Sequence, residues 1–175
     1  MTTILFRTAR LDVRAMTLDD LDDLVAVYGD PVAMAPLGDG EVLTRERCAA
    51  WIEVTAANVA ERGYGMSTCV ERATGAVVGF CGLVHPGGQD EAELKYALRH
   101  DAWGRGLGTE AARGMVAWGE LAFDLTRVIA TVHPGNRASK RVLAKLDMIE
   151  EEPRTEQDGS LTLVYAWEAG RDERR

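Results

Sequence analysis

The sequence predicts an α+β fold with a mixed, mostly antiparallel sheet of six to seven strands and about four flanking helices. The middle of the chain holds three strand-like runs, at residues 64–71, 76–85 and 91–99, which are separated by short segments that contain glycine. Strands joined in this way form an antiparallel meander, because parallel strands need long crossovers between them. Segments with helical periodicity before and after these runs complete the α+β pattern.

The first part of the chain supplies one strand and two helices. Residues 10–16 alternate between polar and apolar side chains, as a half-buried strand does. Thr17 and Asp20 have the spacing of a capping box, and apolar residues follow at helical intervals. A second helix is predicted to begin after Thr44 and to end at Gly63. The segment between these helices is rich in glycine and proline and is predicted to be a loop.

The last part of the chain supplies two more helices and the remaining strands. In order, they are a helix through Ala122, a strand at 126–133, a helix from Asn136, a short strand near Ile149 and a strand at 161–169. A chain of 175 residues suits one domain with a sizeable core. We expect a single domain over residues 1–175, with its core at about 8–168 and a charged tail at 169–175.

Charge and composition restrict the class of partner. The net charge of −8 argues against nucleic acid, because binding to phosphates depends on basic residues, and it favours cationic substrates such as amines. Three widely spaced cysteines indicate a reducing, cytoplasmic compartment. No apolar run approaches the ~18 residues that a membrane span needs, so we expect no membrane partner. The histidines lack metal-ligand spacing, so we expect no metal.

The stretch DAWGRGLGTEAA, residues 101–112, contains the clearest signal for a ligand. Gly106, Gly108 and Ala111 match the dinucleotide-binding fingerprint, but a polar segment precedes them where a buried strand is required. The acidic residue that should end the next strand is also missing, since Asp124 precedes that strand. A dinucleotide is therefore disfavoured, which leaves a different pyrophosphate ligand or a turn without a ligand.

The glycine-rich loop has the chemistry of an anion site. Gly104, Gly106 and Gly108 allow close approach of the backbone to a ligand and positive φ. Their N–H groups, with that of Thr109 in the first helical turn, would point at an anion, and the helix dipole would add favourable charge.

Four segments of the chain together resemble the GNAT superfamily of N-acetyltransferases, and within it the ribosomal-protein alanine acetyltransferases (the RimJ/RimL-like branch). They are DPVAM (30–34), GYGMSTCVERATGAVVGFCGL (63–83), AELKYALRHDAWGRGLGTEAA (92–112) and HPGNRASKRVLAKLDM (133–148). The four motifs occur in the family's order and spacing. The resemblance covers about residues 8–168 and implies the GNAT fold.

The resemblance implies that acetyl-CoA is the co-substrate. Residues 104–109 would hold the pyrophosphate, the strand at 94–98 would pair with pantetheine like an added strand, and Asn136 would hydrogen-bond the pantetheine arm. The residues expected to bind acetyl-CoA are Leu94, Tyr96, Ala97, Leu98, Arg99, Trp103, Gly104, Arg105, Gly106, Leu107, Gly108, Thr109, Asn136, Ser139 and Lys140.

Glu93 and Ser139 are the catalytic residues that the resemblance implies. Glu93 matches the glutamate of the family's E-I-G-Y strand, where it could take a proton from an amine directly or through water; alternatively it is an outward-facing strand residue. Ser139 matches a serine that can contact coenzyme A and protonate the leaving thiolate; alternatively it caps its helix. Trp103 replaces the usual Gln or Arg, as is common in this branch, and Lys95 stands where the branch more often has Gly.

The predicted reaction is direct transfer of an acetyl group to a primary amine in a ternary complex, and the resemblance favours a protein N-terminal α-amine. An α-amine has a pKa of about 7.7–8.0 and a lysine amine one of about 10.4, so the α-amine costs less to deprotonate at neutral pH. A small-molecule amine (an antibiotic, a polyamine or an amino acid) and a non-catalytic coenzyme A-binding module are the alternatives. The resemblance also makes a homodimer an expectation.

Overall fold

A computed structural model describes residues 3–37 and 40–170, which fold around one nine-stranded sheet. The strands are β1 (Ile4–Arg7), β2 (Leu11–Ala15), β3 (Met66–Glu71), β4 (Val77–Val84), β5 (Ala92–Leu98), β6 (Arg127–Val132), β7 (Ile149–Glu150), β8 (Arg154–Thr155) and β9 (Leu161–Glu168). The helices are α1 (Leu21–Tyr28), α2 (Pro31–Met34), α3 (Arg45–Arg62), α4 (Leu107–Phe123) and α5 (Arg137–Lys145). Three short 3-10 turns, at 18–20, 86–88 and 100–102, connect them.

The sheet runs in the order β1-β2-β3-β4-β5-β6-β9-β7, and β8 pairs with β9 outside this path. Every pair is antiparallel except β5 with β6, which confirms the predicted mixed, mostly antiparallel α+β fold. The sheet has two more strands than the upper limit of the prediction, namely β1 and the two-residue β8. Both are too short for alternation of side chains to identify them.

The helix starts and ends follow the local sequence signals. Thr44 caps α3 by accepting a hydrogen bond from the Arg47 amide at 3.3 Å, and Gly63 ends this helix at φ 83°. The segment predicted to be a loop contains the additional helix α2, which is one turn long. Asp30 caps it by accepting from the Val32 amide at 2.8 Å, and Pro31 occupies its first position.

The parallel pair at the centre of the sheet is short. β5 and β6 are in register only at Ala92 with Val128 and at Glu93 with Ile129. β5 nevertheless pairs with β4 as far as Leu98, and β6 pairs with β9 as far as Val132. The two central strands therefore separate beyond Glu93, and each leaves one unpaired backbone edge facing the other.

Two apolar clusters cover the faces of the sheet. On one face, α4 packs Leu107 and Met115, both fully buried, against strand residues that include Leu94. On the other face, α1 and α3 pack around fully buried Phe80 and against Ala97. Successive residues of β5 thus belong to opposite faces, with Leu94, Tyr96 and Leu98 toward α4.

A buried carboxylate joins β2, β3 and the start of α1. Asp20 accepts hydrogen bonds from Arg14 Nη1 at 2.9 Å, from the Thr17 amide at 2.8 Å and from Thr68 Oγ1 at 3.0 Å. Burial alone would raise the pKa of the Asp20 carboxyl, but these hydrogen bonds outweigh it and lower the pKa below its ordinary value. The ionised carboxylate therefore stabilises the folded chain at neutral pH.

We expect Asp20→Asn to reduce the free energy of unfolding at neutral pH by about 3 kcal/mol, because it leaves Arg14 without its buried partner. The lowered pKa means that this contribution is present above the unfolded pKa of about 3.9 and is lost as the pH falls below it. Urea unfolding should therefore show a difference between the two proteins that shrinks toward about pH 3. Asp22→Asn, which removes an exposed pair with Arg45, is the control and should cost under ~1 kcal/mol. An equal loss of unfolding free energy in both variants would show that the buried contacts of Asp20 do not stabilise the fold.

Candidate active site

The gap between β5 and β6 opens into a cavity of about 1150 Å³. Residues of β5 and β6 form its floor, including Glu93, Tyr96 and Thr131. One wall is apolar and comes from α1, α3 and the segment after α2, with Tyr28, Trp51 and Val54 as examples. The opposite wall is polar and comes from the ends of β4 and β8, with His85, Arg154 and Glu156 as examples. An elongated ligand thus has access to both unpaired strand edges.

Glu93 lies in the floor of this cavity with only 2% of its surface exposed. Its carboxylate contacts Thr131 Oγ1 and Lys95 Nζ, and it accepts a hydrogen bond from Gln89 Nε2 at 3.3 Å. The structure therefore places Glu93 inside the cavity and not on an outward face. Glu91 has the surface position instead, since it pairs with Arg127 at 2.8 Å and its side chain is 40% exposed.

Lys95 shares the contacts of Glu93. Its ammonium group pairs with the Glu93 carboxylate and donates to Thr131 Oγ1 at 3.0 Å. Its side chain is 39% exposed and lines the cavity. The lysine that departs from the family pattern therefore places its charge beside the candidate base.

The hydroxyl groups of Tyr96 and Ser139 meet across the gap at 2.6 Å. Burial raises the pKa of Tyr96 to about 12, so its phenol keeps its proton at neutral pH. Ser139 lies in the first turn of α5. Sequence reasoning considered only the backbone of Tyr96 and missed this side-chain pair, because 43 residues separate its members and no local pattern links them.

Asn136 caps α5 and connects it to the other side of the cavity. Its Oδ1 accepts from the Ser139 amide at 3.0 Å, and its Nδ2 donates to the Pro36 carbonyl at 2.8 Å. The side chain is almost fully buried. The carboxamide thus ties α5 to the segment after α2, and its second N–H is the group left for a ligand.

The glycine-rich loop follows β5 and adopts the conformation that its glycines allow. Gly104 and Gly106 have φ values of 72° and 79°, which L side chains rarely adopt, and Gly106 is the N-cap of α4. The expectation of positive φ is wrong for Gly108, which lies in the first turn of α4. The amides of Leu107, Gly108 and Thr109 occupy the first turn of the helix, where N–H groups have no intrahelical partner. The loop is exposed at residues 103–106 and presents these amides outside the cavity, at the far end of β5.

Two residues that sequence reasoning missed hold the loop in place. Arg10 Nη1 donates to the Arg105 carbonyl at 2.8 Å, and Arg10 Nε donates to Glu110 Oε2 at 2.7 Å. Glu110 also accepts from the Arg10 amide at 2.7 Å and from Thr8 Oγ1 at 2.6 Å. Trp103 closes the other end of the loop, since its indole N–H donates to the Leu98 carbonyl at 3.0 Å.

The basic side chains near the loop differ in how far their charge is compensated. Arg105 pairs with Glu71, and Arg99 pairs with Asp101 at 3.1 Å. By contrast, four basic residues on α5 form no ion pair within residues 3–37 and 40–170; they are Arg137, Lys140, Arg141 and Lys145. Among the described residues near the loop, uncompensated positive charge therefore lies on α5.

Other candidate chemistry finds no support in the described part of the chain. Those residues contain no group of three or more His, Cys, Asp or Glu side chains that could hold a metal ion. None of the helices described is long and apolar enough to cross a membrane. Both ring nitrogens of His85 have hydrogen-bond partners. Nδ1 bonds to the Gln89 backbone carbonyl and Nε2 to the Tyr64 hydroxyl, each at 2.9 Å.

Comparison with known proteins confirms the resemblance. The family model described as an acetyltransferase (GNAT) domain matches residues 10–149, so the chain belongs to the GNAT acetyltransferase family. An acetyltransferase from Agrobacterium tumefaciens superposes with a TM-score of 0.80 at 25% identity, over 95% of this chain and 94% of that one. The ribosomal L7/L12 α-N-protein acetyltransferase RimL, in complex with coenzyme A, gives 0.78 at 16% identity, over 94% and 97%. The microcin C7 self-immunity acetyltransferase MccE, in complex with acetyl-CoA and AMP, gives 0.76 at 10% identity, over 92% and 93%.

We expect Arg10→Ala to loosen the glycine-rich loop, because the Arg105 carbonyl and Glu110 both lose a partner. Hydrogen exchange of the peptide covering residues 103–109 should accelerate about fivefold, which corresponds to a loss of about 1 kcal/mol. Arg7→Ala is the control, since Arg7 pairs with Asp12 on β2 and does not contact the loop. Exchange that is unchanged in the first variant would show that the loop holds its shape without Arg10.

Proposed function

We propose that this GNAT acetyltransferase uses acetyl-CoA to acetylate a protein N-terminal α-amine by direct transfer in a ternary complex. The observation that carries the proposal is the open gap between β5 and β6, where the unpaired edge of β5 runs from the buried Glu93 carboxylate toward the end of the strand that the glycine-rich loop follows. The coenzyme A and acetyl-CoA complexes of two structural neighbours support this co-substrate. We also propose that residues 1–175 form one N-acetyltransferase domain of the reducing cytoplasm, where its three buried free cysteines would stay reduced.

The residues at the gap fit acetyl-CoA in two ways. The unpaired edge of β5 over residues 94–98 offers backbone N–H and C=O groups to the amide-bearing pantetheine arm. The first-turn amides of α4 and the uncompensated side chains of α5 suit the negative phosphates. We assign cofactor binding to the fifteen residues predicted from the sequence. Trp103 and Arg105 act within this set by shaping the loop through Leu98 and Glu71.

The chain's own residues would divide the proton transfers between the two faces of β5. Glu93, on the α1–α3 side, accepts the proton of the acceptor amine directly or through water. The Tyr96–Ser139 hydroxyl pair, on the α4–α5 side, delivers a proton to the leaving thiolate. The backbone N–H of Tyr96 faces the open edge, because the Arg99 amide donates to the Val78 carbonyl and every second residue of β5 faces β4. It donates to the carbonyl oxygen of the thioester as its charge rises. Bound acetyl-CoA supplies the activated acetyl group.

An α-amine fits this arrangement better than a lysine side chain. The pKa difference between the two amine classes, about 2.5 units, corresponds to about 3.4 kcal/mol of deprotonation cost at neutral pH. Glu156 and Asp158 on the polar wall would attract a cationic amino terminus, and the apolar wall around Trp51 would receive the first side chains of a peptide. The acetylation of ribosomal L7/L12 by RimL supports the same choice.

A small-molecule amine is the second candidate. The Asn136–Pro36 hydrogen bond joins two segments that line the cavity. A cavity whose lining segments are joined by this hydrogen bond favours a compact acceptor amine. The neighbour MccE, whose complex holds AMP beside acetyl-CoA, shows that the fold takes a small ligand together with its co-substrate.

We expect Glu93→Gln to lower kcat by about 100-fold or more while the KM for acetyl-CoA changes little, because a carboxamide cannot accept the amine proton. Glu91→Gln is the matched control on the same strand end, where the carboxylate pairs with Arg127 outside the cavity. Steady-state kinetics with an amine that the wild-type protein acetylates would give kcat and KM for both variants. If Glu93→Gln turns over like the control, Glu93 has a structural role only.

Release of the free thiol in the presence of an amine panel tests the choice of acceptor. Peptides that begin with Ala, Ser or Met should give the highest kcat/KM, and the same peptides with a blocked amino terminus should give none. A polyamine, an aminoglycoside and free amino acids form the second arm of the panel. Higher kcat/KM for compounds in that arm would show that the acceptor is a small-molecule amine and not a protein N-terminus.

A further inference from the structure

We propose that Lys95 is a self-acetylation site, so that the enzyme transfers one acetyl group to its own Lys95 Nζ. The inference rests on the proposed function, because it uses the same cleft, the same co-substrate and the same base. It concerns a modification of the protein and not its external acceptor.

The contacts of Lys95 are those that an acceptor amine needs. Its nitrogen touches the Glu93 carboxylate and donates to Thr131 Oγ1 at 3.0 Å. Both partners lie on the floor of the cavity that opens between the central strands. An external amine would have to occupy the same place to give its proton to Glu93. The side chain is also 39% exposed, so a thioester laid along the open edge of β5 can reach it.

The composition of the chain singles out this amine. The sequence contains only three lysines, at positions 95, 140 and 145, although it has 20 basic residues in all. Lys140 and Lys145 lie on α5, and neither forms an ion pair within residues 3–37 and 40–170. Lys145 is exposed at the end of that helix. Lys95 is thus the lysine that has both a carboxylate in contact and a position in the cleft.

The transfer balances with the groups present. Lys95 Nζ gives one proton to Glu93 and attacks the thioester carbonyl carbon, so a nitrogen–carbon bond forms as the carbon–sulfur bond breaks. The nitrogen loses its second proton as the amide forms. One of the two protons ends on the coenzyme A sulfur through the Tyr96–Ser139 pair, and the other leaves Glu93 for water. The products are Nε-acetyl-Lys95 and free coenzyme A.

The modification is self-limiting and changes the charge of the cleft. An acetylated Lys95 has no ammonium group, so it cannot react again and no longer pairs with Glu93. The carboxylate then keeps only its neutral partners, Thr131 and Gln89. Each chain therefore accepts one acetyl group at this position.

Trideuterated acetyl-CoA tests the proposal, because its label distinguishes new acetyl groups from any acquired during expression. The purified full chain is incubated with it, and peptide mass spectrometry measures label at each of the three lysines. We expect label to accumulate on Lys95 and to remain at least ~10-fold lower on exposed Lys145, which reports the uncatalysed reaction. Glu93→Gln should slow the labelling of Lys95 by about 100-fold and leave that of Lys145 unchanged.

Lys95→Arg is the matched variant, since it keeps the positive charge beside Glu93 but offers no lysine amine. It should bind acetyl-CoA in calorimetry and take up no label at position 95. Wild-type protein that acetylates an amine substrate but labels Lys95 no faster than Lys145 would overturn this inference and leave the proposed function intact. Wild-type protein that fails to bind acetyl-CoA would overturn both.

Discussion

The separation of β5 and β6 after two residue pairs is the constraint on which the site depends. Each strand keeps its antiparallel partner on the outer side, so the sheet stays continuous while its two inner edges open. Unpaired backbone groups inside a protein need partners, and a ligand rich in amides satisfies them. The same separation places Glu93 where the strands part and leads β5 into the glycine-rich loop. One local departure from regular pairing thus creates the cavity, the open strand edge and the position of the candidate base.

Electrostatics around the gap follow from how each charge is partnered. The protein carries a net charge of −8, yet it must bind an anionic co-substrate. Arg10 pairs with Glu110 and so holds the shape of the loop. The basic side chains of α5, by contrast, have no ion-pair partners among the described residues, so their positive charge is available to an anion. Inside the cavity, the Lys95 ammonium group pairs with the Glu93 carboxylate, so the buried negative charge of the candidate base is balanced.

The sequence predicted the features that depend on local chemistry. The caps of α3, the glycine-rich turn at the start of α4 and the succession of the main strands and helices along the chain depend on neighbouring residues, and the structure has each of them. It did not predict contacts between distant segments, such as Tyr96 with Ser139 or Arg10 with the Arg105 carbonyl. These pairs meet only because the sheet and α5 bring them together. Short strands such as β8 were also missed, because their partner strand and not their own pattern defines them.

Hydrogen exchange with and without acetyl-CoA, with NADH as the control ligand, tests most directly whether the open edge of β5 and the glycine-rich loop bind the co-substrate. We expect acetyl-CoA to slow exchange at residues 94–98 and 104–109 without changing exchange in β2, and we expect NADH to have no effect. Protection of the loop by NADH, or protection by acetyl-CoA that avoids the open edge of β5, would contradict this expectation.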